Sequence, residues 1–157
     1  MNYSISIYAF DGWLIYTAAV DMYFDRYKGD GPGYYNKPIL TSPQSCSEED
    51  ISSAIQQCIK VLQDHQDSIF RDNSKNNVIQ MEKKLFHNFK LFGITASKAQ
   101  IIKQSTEILI RRKKEGFTLC KCRAKGQYMM VQKEVSLSDE VPMLEVARCV
   151  LELLTDK

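Results

Sequence analysis

Two runs of strand-forming residues joined by Asp11-Gly12 limit this chain more than any other feature. Residues 3–10 alternate, with Tyr3, Ile5 and Ile7 against Ser4, Ser6 and Tyr8. That is the period-two pattern of a half-buried strand. Asp-Gly is a favoured two-residue hairpin turn, because both positions tolerate positive φ. Residues 13–27 follow with Trp13, Ile15, Tyr16, Val20, Tyr23, Phe24 and Tyr27, which predicts one long strand or two short ones. The pattern returns later, predicting strands over about 106–114, 117–124 and 127–135. Glu115-Gly116 and Lys125-Gly126 are the turns between them. Strand pairs joined by such short turns are antiparallel, and they argue against a doubly wound parallel sheet, whose strands need long crossovers.

Between these strand groups the pattern becomes helical. Gly29 to Gly33, with Pro32, reads as a loop, and Tyr34 to Leu40 as a short strand whose Pro38 suits a sheet edge. Ser47 is the expected N-cap of a helix opened by Glu48, Glu49 and Asp50, acids that suit the positive end of the helix dipole. Its buried stripe is Ile51, Ala54, Ile55, Cys58, Ile59 and Leu62. The helix is expected to fade from His65 to Ile69, and Arg71 to Asn77 reads as a polar loop. Residues 78–92 form a second helical stretch ended by Gly93, and Thr95 or Ser97 caps a short third one. Ser138-Asp139-Glu140 is expected to open the last helix, with Pro142 in its first turn. Strands, helices, strands, helix: this order predicts an α+β fold with an antiparallel or mixed β-sheet and helices packed mainly on one face.

The 157 residues suit one domain spanning 1–157, with 44% hydrophobic and 25% charged residues. A chain of this size needs no metal or disulfide to hold its core. Five cysteines, Cys46, Cys58, Cys120, Cys122 and Cys149, make an odd count unlike a secreted disulfide framework. The start, Met1-Asn2-Tyr3-Ser4-Ile5, lacks the basic and apolar regions of a signal peptide, and no run has the length of a membrane span. The expectation is a reduced, cytoplasmic protein with no membrane partner. The formal charge of +2 selects no partner class.

Ser47-Glu48-Glu49 through Leu62 can be laid over Ser138-Asp139-Glu140 through Leu153, so that Ile55 meets Val146, Cys58 meets Cys149 and Ile59 meets Val150. Two capped amphipathic helices match this well without any shared origin. The same residues carry a family resemblance. Lys37-Pro38-Ile39-Leu40, then Ser47-Glu48-Glu49-Asp50-Ile51 and its helix, then a sheet and a second capped helix, resemble bacterial immunity proteins of contact-dependent growth inhibition systems. Where that family has a small residue after the acidic helix start, this chain has Ser52 and Ser53 nearby. The resemblance implies a protein that binds a cognate toxin domain, often a nuclease at the C-terminus of a secreted effector, and blocks it by direct contact.

Residues that carry chemistry are sparse. His65 and His87 belong to no zinc-binding spacing and read as surface or boundary histidines. Cys120-Lys121-Cys122 puts two thiols on one strand face with Thr118 and Ala124, and reads as two small buried apolar groups under the helices. No phosphate-binding glycine loop or nucleophile elbow occurs. The expectation is a protein with no cofactor, no metal and no catalytic constellation, although a carboxylate pair among Asp11, Asp21, Asp25 and Asp30 leaves a small enzyme as a third reading.

Two charged regions remain. Residues 1–35 hold four aspartates, Trp13 and seven of the eight tyrosines. Aromatics either form strands or centre binding surfaces. As a surface, the region would suit a basic partner. Asp11, Tyr16, Asp21, Tyr23, Asp25, Tyr27 and Asp30 are its expected contacts. Arg111, Arg112, Lys121 and Arg123 suggest a basic sheet face, which is either solvated or contacts nucleic acid in an accessory role.

Overall fold

The computed structural model describes residues 1–22 and 31–156. Strand β1 (Tyr3–Phe10) turns at Asp11-Gly12 into β2 (Trp13–Met22). Asp11 and Gly12 have φ of 50° and 82°, the pair of positive values that this hairpin turn requires. Strands β3 (Gly31–Tyr34) and β4 (Leu40–Pro43) follow, then helices α1 (Glu48–Asp64), α2 (Gln66–Lys75) and α3 (Val78–His87). A 3-10 turn over Asn88–Phe92 leads to α4 (Lys98–Gln104). Strands β5 (Thr106–Lys113), β6 (Gly116–Lys125) and β7 (Tyr128–Ser138) and helix α5 (Met143–Thr155) complete the order.

The seven strands among the described residues join one antiparallel sheet in the order β3-β2-β1-β5-β6-β7, with β4 also on β2. The α+β class read from the pattern is the observed one. Residues 31–43 differ in detail from their reading. Strands occupy 31–34 and 40–43, and the expected strand core at 35–39 is irregular. β3 lies against residues 19–22 and β4 against residues 13–16 of β2, so they are two pieces of one interrupted edge. Pro32 is accepted there, because an edge strand leaves one side of its backbone without ladder partners.

The alternation of each strand separates two cores. One face presents Tyr3, Ile5, Ile7, Leu14, Tyr16, Ile108, Ile110, Phe117 and Leu119 to α1 and α5. Helix α1 is fixed by a reciprocal capping box, in which Asp50 N–H donates to Ser47 Oγ and Ser47 N–H to Asp50 Oδ2, both at 3.2 Å. Arg148 of α5 pairs with Glu48 of α1 through two bonds of 3.2 and 3.3 Å. The helices laid over one another in the sequence thus pack side by side. The opposite face carries a smaller core of Tyr8, Ile15, Leu85, Phe86, Phe89 and Ile101 under α3 and α4.

Two helix boundaries depart from the sequence pattern. Residues 66–75 are helical although 71–77 read as a loop, because α2 buries only Ile69 and leaves no apolar stripe to detect. The last helix starts at Met143 and not at Ser138. Residues 136–138 are taken up by pairing with 116–118, and Ser138 Oγ accepts only the Glu140 N–H. That pairing explains Gly116, whose φ is 141° and where a Cβ would lie 2.3 Å from the Leu137 carbonyl oxygen.

Candidate functional site: an open sheet edge and an aromatic cleft

The two edges of the sheet are finished differently. At the β3 edge, Tyr34 N–H donates to Asn73 Oδ1 at 3.1 Å and Asn73 Nδ2 donates to the Tyr34 carbonyl at 3.0 Å. Two residues on, Asn88 Nδ2 donates to the Asn36 carbonyl at 2.7 Å. Side chains from α2 and from the 3-10 turn therefore occupy backbone positions that another strand would take. At the other edge, β7 runs for 11 residues and pairs with β6 alone among the described residues. Its middle carries Gln132, Lys133 and Glu134 and a register shift opposite Lys121/Cys122, devices that discourage indiscriminate pairing. Its start is different: Tyr128, Met130 and Val131 are 75%, 47% and 54% exposed.

A cleft of about 770 Å³ opens at the same end of the sheet. Phe10, Asp11 and Trp13 form one wall, and Phe92 to Ala96 with Gln100 and Gln104 form the other. Phe10 stands opposite Trp13 in the hairpin register. Trp13 and Phe92 are 47% and 37% exposed. Along this end, Ala9 pairs with Thr106, Thr106 with Arg123 and Arg123 with Met130. Helix α4 lies between the cleft and the β6–β7 hairpin, since its Ile101 belongs to the core that Met129 packs against.

The groups with perturbed protonation lie elsewhere. Glu107 is buried at 8% exposure, and desolvation pushes its carboxyl up from the ordinary value, with hydrogen bonds from the Ser6 and Tyr8 hydroxyls opposing the rise. Burial, with Glu107 adjacent, pushes the Tyr8 phenol well above its usual value. Glu82 pairs with Lys98 above this region. Burial likewise raises the Cys58, Cys120, Cys122 and Cys149 thiols, Cys58 and Cys122 to about 12. These are groups whose charged forms burial disfavours. Among the described residues no cluster of His, Cys, Asp and Glu has the arrangement of a metal site.

Of the expected acidic surface, the structure describes Asp11, Tyr16 and Asp21. Tyr16 is fully buried beneath α1 and is a core residue, not a contact; its even position in β2 puts it on the face covered by α1 and α5. Asp11 is exposed in the turn, whereas Asp21 is half-buried opposite Pro32 near the far end of β2. A strand rise of about 3.3 Å per residue puts the two aspartates roughly 30 Å apart. Tyr23, Asp25, Tyr27 and Asp30 lie outside the described residues.

The basic face is dispersed. Lys121 is buried at 5% exposure, and its Nζ donates to the Asp156 carbonyl at the end of α5. Arg112 lies 4.8 Å over the Phe117 ring. Arg111 points to the opposite face of the sheet from Arg112. Arg123 is exposed at the other end of β6, opposite Thr106. Cys120 and Cys122 share a face as expected, but it is the face opposite α1 and α5.

Alternation in the sequence could have found the cleft's first wall, since Phe10 and Trp13 flank the Asp-Gly turn. It could not join that wall to Phe92, some eighty residues away.

No helix among the described residues is long and apolar enough to cross a membrane. No protein-family model and no curated protein matches the chain. Among solved structures, the chain is similar to a protein of unknown function, NMB0488 from Neisseria meningitidis. The two share 18% identity with a TM-score of 0.61, over 99% of this chain and 94% of that one. At that identity the likeness concerns the fold.

Proposed function

We propose that this chain acts by binding a protein partner at the β7 edge, as an inhibitor of the immunity type that its sequence resembles. The observation that carries this reading is the difference between the two sheet edges. Asn73 and Asn88 close the β3 side, while Tyr128, Met130 and Val131 stand exposed where β7 begins. A strand edge offers main-chain hydrogen bonds, and exposed apolar side chains add affinity and register. Exposed apolar residues that cluster at one place, unlike scattered ones, mark interaction sites. The partner supported by the resemblance is a toxin domain neutralised by direct contact, within the cytoplasm.

The test is capture with the tagged 157-residue chain from cells that make it, beside a Met130→Lys, Val131→Lys double variant. Recovery of one protein in stoichiometric amount, whose toxic activity is lost in the complex, and its disappearance with the double variant support the reading. Equal capture by both forms moves the contact away from β7. Recovery of nucleic acid alone, released by moderate salt, would replace the reading with the accessory one.

A further inference from the structure

We infer that the cleft beside the Asp11-Gly12 turn is a site for a guanidinium group, presented as an arginine side chain on an extended segment of the bound protein. The inference rests on the protein-binding reading for its occupant, but its test does not.

The chemistry of the walls selects the group. Asp11 is the one charged residue among the described residues lining the cleft, and among the described residues its carboxylate has no salt-bridge partner. Trp13 and Phe92 offer exposed aromatic surface, and Phe10 lies beside them. A planar, weakly hydrated cation that both stacks on rings and pairs with a carboxylate is satisfied by all of these together. A lysine ammonium is a compact, strongly hydrated charge without a planar face, so it matches these walls less well. Guanidinium has five N–H donors, and the Thr95 hydroxyl and Gln104 amide are further acceptors around the space. Gln100 contributes less, because its Oε1 already accepts from the Ser97 N–H and hydroxyl.

Position supports the same occupant. The carboxylate is carried by a turn residue held at φ 50° between paired strands, so little ordering remains to be done on binding. A volume of about 770 Å³ exceeds a single side chain and accommodates the flanking backbone of a peptide segment. The cleft and the start of β7 lie at one end of the sheet with α4 between them, so one partner can reach both.

The chain contains a single tryptophan, so the Trp13 indole N–H gives one resonance in ¹⁵N-labelled protein. The full chain is titrated with N-acetyl-arginine amide and, separately, with its uncharged citrulline counterpart. Asp11→Asn and Phe92→Ala chains are titrated in parallel; asparagine keeps the left-handed tolerance that the turn needs. The expected result is a saturable shift of the Trp13 indole and Gly12 amide with the arginine probe. Citrulline and the Asp11→Asn chain are expected to bind at least about tenfold more weakly, the scale of a desolvated cation–π and ion pair. Absence of a shift at millimolar arginine, or an equal response to citrulline, overturns the inference. Arginine binding by a chain that captures no protein keeps the cleft and removes the partner; capture without arginine binding does the reverse.

Discussion

Asn73 of α2 makes both the donor and the acceptor bond to the backbone of Tyr34, at 3.1 and 3.0 Å, and so stands in for the next strand of the sheet. Its Nδ2 also donates to Ile69 O at 2.8 Å, which fixes the amide's orientation on its own helix. One side chain thereby ties α2 to an edge four residues long. Asn73→Ala leaves both Tyr34 groups without these partners and is expected to cost about 1–3 kcal/mol. Asn73→Asp should cost at least as much, because a carboxylate cannot donate to the Tyr34 carbonyl. Urea unfolding of the three chains measures this, and an unchanged midpoint for Asn73→Ala would show that water serves Tyr34 equally well.

Lys121 is expected to behave as a structural residue. Its buried ammonium reaches the Asp156 carbonyl, where the α5 dipole is negative. Lys121→Ala should lower stability by about 1–3 kcal/mol, the range for a buried charge-assisted bond. Arg123→Ala, at an exposed position, should change stability by less than about 0.5 kcal/mol. Equal effects in thermal unfolding would contradict the burial difference.

Glu107 should make stability fall as pH rises. Its carboxyl is raised above 4.5 in the folded chain, so the folded state holds the proton over a window where the unfolded state has lost it. Stability is then full below about 4.5 and declines as pH passes upward through the folded value. Glu107→Gln removes this dependence while keeping an acceptor for Ser6 and Tyr8. The variant should match or exceed the parent at pH 7 and show no gain at pH 4. Denaturant titrations across that range decide it, and a variant weaker at pH 7 would reverse the sign.

Thiol reactivity should divide the cysteines. Cys46 is the half-exposed one, 3.7 Å from Ser42 Oγ, while Cys58, Cys120, Cys122 and Cys149 are buried. For Cys58 and Cys122, pushed up to about 12, roughly one thiol in ten thousand is ionised at pH 8. Native iodoacetamide labelling followed by peptide mass spectrometry should therefore find Cys46 modified first. The other four should react only after unfolding; early modification of Cys120 or Cys122 would mean that their sheet face opens readily.

The legible parts of the fold were those governed by local rules. Asp11-Gly12, the Ser47 cap and the alternation of β1 each follow from nearby residues alone. Residues 71–75 were misread for a physical reason: the side chain that matters there, Asn73, makes its contacts with Tyr34, far away in sequence. The start of α5 was misread because sheet pairing with 116–118 outweighed the capping signal at Ser138. Tyr16 drops out of the expected acidic surface for a similar reason. Tyr16 is one step in register from the opposite face, and a strand's alternation does not say which face the long helices will cover.

The centre of the sheet pairs Tyr3 with Arg112 and Ile5 with Ile110. More than a hundred residues must therefore be synthesised before β1 can acquire its second neighbour. At roughly 5–20 residues per second, the early hairpin waits on the order of 5–20 s on the ribosome with the second backbone edge of β1 unpaired. Production of this protein is thus a race between chain elongation and capture of that hairpin by other nascent chains. Slower translation after residue 22, or loss of the chaperones that shield emerging strands, should lower the soluble yield without altering the stability of the molecules that finish folding.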